Sequence, residues 1–388
     1  MSRSRVLWCA GLLLLLAVSR PVAGCLWDTD TLAMERRTFP DILELITGKF
    51  LRHSTEFYQW RIKDRLARIE SEPNNLALYD DLAVAYDKTG EHQLAIATMQ
   101  RKEAIKPGLY ETAANLGTFH IHAGDLEAGI PFLKQAIEIN PDAHFGREIY
   151  QVVLVQYVLE HKPKDGPLKL PLQETLADGY PMSNFGRFMV AQLDSNDEQS
   201  EIKAGIQGIA GMMRFGNHNS PVLLEALGDL LVAQNHPADA RRMAARCYLR
   251  ASQMVEDKQA KEEYRALARK ALGLQLDGLT RQQLDLNTLE QRLAAELQEA
   301  DQWYAQVRAD ELKWIADGAD VDQEFGRKYY RQPVVGSNAQ ALMDLAAKVL
   351  VAAAVLSVSL IVLGFWLRRR QRRKPEFVVT ADPQTTGD

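Results

Sequence analysis

The chain has 388 residues, 46% of them hydrophobic and 25% charged, with a formal net charge of −5. That is enough for one large domain or two of ordinary size with a real core, while the three cysteines (Cys9, Cys25, Cys247) exclude a disulfide framework. Between residues 25 and 367, 37 Lys and Arg face 48 Asp and Glu, which excludes a general binder of nucleic acid or anionic surfaces, since such proteins need a basic footprint.

The first element is an apolar run from Val6 to about Val18, preceded by Arg3 and Arg5 and followed by the small residues Val22-Ala23-Gly24. A basic start, a short apolar stretch and a small-residue site predict a secretory signal peptide over 1–24. An uncleaved anchor is the alternative, but the run is shorter than the roughly 20 apolar residues that a span needs. Val22-Ala23-Gly24-Cys25 resembles the lipobox of bacterial lipoproteins, in which the cysteine is lipidated; Arg20 and Pro21 depart from that pattern, and ordinary cleavage beside Cys25 is the other reading.

Residues 25–72 hold helices leading into a repeat. TEFYQWRIKDRLARIES (55–71) places Tyr58, Ile62, Leu66 and Ile69 on one helical face. LAVAYDKTG (82–90) then recurs as LGTFHIHAG (116–124), 34 residues on, and Pro73, Pro107 and Pro141 keep the same period. A fixed period of this size marks stacked supersecondary units. In the first unit Tyr79, Leu82, Ala83 and Tyr86 share a face, Gly90 ends the helix in a left-handed conformation, and Leu94, Ala95 and Met99 open a second helix that stops before Pro107. In the second unit Ala113, Leu116, Gly117 and His120 make the first face, Gly124 stops it, and Ile130, Leu133, Ala136 and Ile137 make the second.

These residues resemble the tetratricopeptide repeat. Ala136-Ile137-Glu138-Ile139-Asn140-Pro141-Asp142-Ala143 looks like the end of one family repeat and the cap of the next. Small residues are needed where the paired helices cross, and Ala83, Ala95, Gly117, Gly129 and Ala136 fill such places; Lys102 departs from the pattern where a small residue is usual, and His120 where an aromatic is usual. The resemblance implies a superhelix of helical hairpins whose first helices line a concave groove for a peptide or partner protein. Carried over by position, Asp80, Val84 and Asp87 face that groove from the first unit, and Asn115, Thr118 and His122 from the second. The family's chaperone-binding members grip a terminal carboxylate with Lys and Asn where this chain has Asp80 and Val84. The clamp is therefore missing, Asp80 would repel a carboxylate, and a neutral or basic partner segment is the expected ligand. Two units cannot stand alone. The 55–71 helix is expected to lead and 144–160 to cap a repeat region of 73–160.

KPKDGPLKLP (162–171) breaks the pattern, and a second helical region follows over 166–330. Ser220-Pro221 is a helix start. Leu227-Gly228 and Ala244-x-x-x-Tyr248-x-x-Ala251 resemble two halves of another repeat with a gap four residues too long. Asn287 and Glu290 are expected to open a long helix with the stripe Leu289, Leu293, Leu297, Ala300, Tyr304 and Val307, either a coiled-coil seam or, more often, a face packed on its own domain. Trp303, Tyr304, Trp314, Phe325, Tyr329 and Tyr330 cluster before a linker over 331–345, as core or as a ligand surface. Val349–Leu367 carries no charge and is followed by a basic cluster from Arg368 to Lys374. Nineteen helical residues span roughly 28 Å, close to a bilayer's hydrocarbon thickness. The sequence thus predicts a transmembrane helix over 349–367 and a cytoplasmic basic tail over 368–388.

No phosphate loop, calcium loop or nucleophile motif is present, and no cofactor is expected. His120 and His122 stand two apart on one helix, point to different sides, and predict no metal site. The sequence reads as an all-α protein: a tetratricopeptide-like superhelix, a further helical region and one C-terminal transmembrane helix. The expectation that follows is a single-pass protein of the bacterial cytoplasmic membrane with its bulk in the periplasm, a scaffold or adaptor for protein partners without catalysis of its own. The rival is an envelope enzyme or metal-redox protein working through 166–330, with Cys25, Cys247 and the histidines as its resources.

Overall fold

The computed structural model describes residues 41–141, 143–172, 184–234, 238–273 and 285–330, all within one compact unit, Met1–Gln332. The expected leader with Cys25, the linker over 331–345, the apolar segment 349–367 and the basic tail lie outside these residues. The described chain is helical, with no strand among the described residues.

Helix α1 (Ile42–Thr47) is short and closed by a capping box between Asp41 and Glu44. Helix α2 (Thr55–Ser71) starts at Ser54, whose hydroxyl accepts from the Phe57 amide at 3.2 Å. The repeat units follow as two antiparallel pairs, α3 (Leu76–Lys88) with α4 (His92–Ile105), and α5 (Tyr110–His122) with α6 (Leu126–Ile139). Gly90 and Gly124 both sit at φ +86° just past α3 and α5, a conformation that favours glycine and lets the chain reverse within a few residues. A 3₁₀ turn (Ala143–Gly146) leads into α7 (Arg147–His161), which packs on α6.

The chain continues through α8 (Asn184–Leu193), α9 (Glu198–Met212), a π-helical turn (Met213–Asn217), α10 (Pro221–Ala233), α11 (Ala238–Met254) and α12 (Lys258–Gly273). Ser220 caps α10 as its sequence implies, and α10 packs on α11 with Gly228 against the Tyr248 ring. Helix α13 (Leu286–Ala316) is capped by Asp285, two residues before the expected Asn287. Leu289, Leu293, Ala300 and Val307 of its stripe are buried. That face packs against α1 and α2 as well as α11 and α12, so the last long helix among the described residues returns to the first ones. Helix α14 (Val321–Tyr329) completes the described chain. Phe325 is fully buried there, with Tyr329 and Tyr330 against its ring, so this part of the aromatic cluster is packing.

One hydrophobic core runs from Leu45 and Ile46 through Tyr150–Val158 and on to Leu289 and Leu293, and a second fills the space between α2, α3, α4 and α5. Helix α2 buries only part of the expected face: Ile69 is in the core and Ile62 packs against it, but the rest of the stripe is shifted. Phe57, Arg61, Arg65 and Ile69 are buried while Leu66 is 44% exposed. The stripe turns by one residue because its arginines have partners: Arg61 reaches Asp322 at 2.5 Å, and Arg65 reaches Asp81 at 2.9 Å and also Asp322. A buried charge is tolerated only when paired in this way.

The expected C-terminal transmembrane helix, and with it the single-pass membrane protein, is corrected: among the described residues no helix is long and apolar enough to cross a membrane. The longest, α13 with 31 residues, carries charged or polar side chains in every turn. The segment 349–367 that motivated the expectation lies outside the described residues.

Helices α5 and α6 cross at Gly117 and Gly129. A Cβ on Gly129 would stand 2.7 Å from the Gly117 carbonyl oxygen, and backbone cannot yield as a side chain can. Gly129→Ala is expected to cost about 1–3 kcal/mol through overpacking, although alanine gains about 1 kcal/mol in helix propensity. Its urea midpoint should fall, whereas that of Gly273→Ala, whose new Cβ meets nothing within 4 Å, should not.

Candidate functional site

The inner face of the repeats is covered by the chain itself. The π-helical turn sits against it, held by the Lys88 ammonium, which donates to the carbonyls of Phe215 and Gly216 at 2.5 Å each. The segment before α2 closes the other side: Arg214 donates to the Leu51 carbonyl at 2.9 Å, and Arg52 lies 3.6 Å over the Tyr304 ring of α13. What remains is a polar cavity of about 540 Å³. Val84, Asp87, Lys88, His92 and His122 form its repeat wall, with Arg52, Arg214, His218 and Tyr304 opposite. A second, more apolar cavity of about 310 Å³ lies behind His122, between Thr118, Leu154, Val158 and Leu223.

The six residues carried over from the repeat pattern separate into three groups. Val84, Asp87 and His122 line the polar cavity. Thr118 faces the apolar one, where its hydroxyl accepts from the Gln151 amide at 3.3 Å. Asp80 and Asn115 line neither. They are buried, and Asp80 takes both oxygens to the Lys102 ammonium at 2.7 Å. Lys102, out of place in a repeat pattern that expects a small residue, thus serves as the counter-ion of Asp80. Burial pushes the Asp80 carboxyl up to about 7, against the opposing pull of Lys102. A carboxylate so neutralised and enclosed does not set the charge of the groove. His120, the other departure, stacks on Phe132 at 5.4 Å and keeps the ring that its place requires.

Asp87 is the centre of the repeat wall. It is 5% exposed, and both neighbouring imidazoles contact it: His92 Nδ1 at 2.8 Å from Oδ1, and His122 Nδ1 at 2.8 Å from Oδ2. Burial alone would raise the carboxyl, but charge attraction to His122, the hydrogen bonds from His122 and His92, and the nearby Lys88 outweigh it and hold it at about 2. The same bond raises His92 above its ordinary value. The sequence reading of His120 and His122 considered one helix and missed this cluster. Asp87 and His122 are one repeat plus one residue apart, which sets the ends of α3 and α5 side by side, and His92 returns across the Gly90 turn.

Arg52-His53-Ser54 carried no signal in the sequence. In the structure His53 Nδ1 lies 2.6 Å from the buried Glu311 carboxylate, whose other oxygen accepts from the Ser54 amide at 2.9 Å. No local pattern announces a partner 258 residues away. Cys247, one resource of the redox reading, is a fully buried free thiol that burial pushes well above its ordinary value, and such thiols are inert.

The tetratricopeptide repeat family model matches residues 110–143, the segment of α5 and α6 and the turn that follows. The chain therefore contains a tetratricopeptide repeat. Repeats of this kind are generally non-catalytic modules that bind protein partners. A search of curated proteins finds no match to the chain.

Two outcomes are expected at this site. Removing one partner of the buried Asp80–Lys102 pair, by Lys102→Met or Asp80→Leu, should cost about 3–5 kcal/mol, while the double variant recovers most of it; denaturant unfolding of the three proteins measures the difference. His218 is held down at about 3 from an ordinary 6.5, first by burial and then by Arg52, Arg250 and Lys88. Its folded pKa lies below the unfolded one, so the unfolded chain binds the extra proton between pH 3 and 6.5 and stability falls as the pH drops through that window. The melting temperature of His218→Gln should therefore fall less steeply with acid than that of the parent.

Proposed function

We propose that the chain is an interaction scaffold that holds a short acidic segment of a partner protein in the polar cavity between the repeats and the π-helical turn. The observation that carries this reading is the charge of the cavity wall. Arg52, Lys88 and Arg214 line it with three cations, and Asp87 is the one carboxylate among the described lining residues. This differs from the neutral or basic ligand inferred from sequence, because Asp80, on which that inference rested, is tied to Lys102. At about 540 Å³ the space falls within the range of about 300–1,000 Å³ typical of ligand pockets. It suits a side chain or a few residues more than a long extended peptide.

Fluorescence anisotropy with labelled short peptides tests the proposal. Glu/Asp-rich peptides should bind more tightly than Lys/Arg-rich ones, with affinity falling as salt rises. Arg214→Gln should weaken binding by about tenfold, roughly the 1.4 kcal/mol of one charge-assisted contact, and Arg269→Gln on the exposed side of α12 should not. Tighter binding of the basic peptides would overturn it.

A further inference from the structure

We propose that Asp87, His92 and His122 form a binding site for a divalent transition-metal ion, zinc in the first instance. The three come from the end of α3, the start of α4 and the end of α5, and one ligand atom from each lies within 4.8 Å of the others. Both histidine Nδ1 atoms already converge on the Asp87 carboxylate, at 2.8 Å for His92 and at 2.8 and 3.0 Å for His122. Nitrogen and oxygen ligands about 2.0–2.2 Å from a tetrahedral zinc stand roughly 3.3–3.5 Å apart. An ion in place of the shared protons requires each nitrogen to part from the carboxylate by about half an ångström, and the two imidazoles, within 4.8 Å of one another, to settle at the same spacing.

The donor set selects the class of ion. Two imidazoles and a carboxylate suit zinc and its first-row neighbours, whereas calcium and magnesium take oxygen ligands. The carboxylate is fixed, being almost fully buried on α3, while the His92 and His122 side chains keep 30% and 28% exposure and have room to adjust. All three line the polar cavity, so a three-ligand site leaves its fourth position open to that space, as sites that take a further ligand do. Lys88, Arg52 and Arg214 face the same space. They act against a second cation and favour an anion at the fourth position. None of this depends on the partner reading: an ion needs only the three side chains, and an acidic segment needs only the cations.

The competing account is a hydrogen-bonded link between repeat units that never takes a metal. His→Gln variants separate the two, because glutamine can still donate to Asp87 but is a poor zinc ligand. The full chain, stripped with chelator, is titrated with zinc by calorimetry and with cobalt(II) by visible absorption. The parent should take up one equivalent with a rise in melting temperature, and cobalt should give the intense ligand-field bands of a four- or five-coordinate site. His92→Gln and His122→Gln should each lose at least about tenfold in affinity while melting near the parent in chelator; His120→Gln, two residues away, should bind as the parent does. Uptake below one equivalent, or binding unchanged in the His92→Gln/His122→Gln double variant, would overturn the proposal. If the variants do not fold, the parent decides alone: only weak, octahedral cobalt bands would sink the site. Peptide binding measured in chelator reports on the cavity cations independently.

Discussion

A pair of stacked helical hairpins has two open ends and an inner face that its own helices cannot cover, and that constraint organises the described structure. Repeat units share their core with neighbours. Here α2 closes one end and α7 the other, and the inner face is covered by residues from far along the chain. The π-helical turn is docked by Lys88, and the segment before α2 is held by Arg214 and Tyr304. A long open groove is thereby reduced to a cavity. The same coverage explains why Val84 and Asp87, which a bare repeat would leave open, are buried.

Covering the ends costs polar burial, and the chain meets that cost with ion pairs and hydrogen bonds that join distant segments. Arg61 and Arg65 of α2 share Asp322 of α14, His53 meets Glu311 of α13, and Arg246 of α11 takes Glu296 of α13 in a two-bond fork at 2.7 and 2.8 Å. Paired charges of this kind are weak as a source of net stability but severe when broken. They specify which helix lies against which. An apolar contact between α2 and α14 would tolerate sliding; two guanidinium groups on one carboxylate do not.

The repeats were legible because their signals are local. The 34-residue period, the glycines at Gly90 and Gly124 and the small residues at the crossings each act within one hairpin, and the helices they predict are present. The face of α2 was read only in part, with Ile62 and Ile69 toward the core, and for a physical reason. Hydrophobic periodicity assumes that the apolar side is the buried side, and α2 buries two arginines: Arg61, whose partner lies 261 residues away, and Arg65, whose partners lie 16 and 257 residues away. Groove positions could be carried over by register, but register says nothing about what later folds onto them. Asp80 therefore looked like a groove acid until Lys102 was seen beside it. The Asp87–His92–His122 cluster was within reach of the sequence: the period places Asp87 beside Ile121, and the next residue is His122.

The cavity has a property that a simple repeat groove lacks. Its wall is assembled from four parts of the chain: Arg52 before α2, Asp87 to His122 in the repeats, Arg214 to His218 after α9, and Tyr304 of α13. These parts lie far apart in the sequence and meet only in the folded unit. A ligand that touches these parts binds only the folded arrangement, so by mass action it stabilises that arrangement. The coupling is reciprocal, since whatever loosens the π-helical turn from Lys88 also weakens the ligand. The turn carries Gly216 and ends beside His218, whose imidazole stays neutral because burial and Arg52 hold its pKa down. Protonating it would set a new cation against Arg52 at the seam. The seam of the π-helical turn and the charge of the cavity therefore share one set of residues, and Lys88, next in sequence to Asp87, links them to the repeat wall.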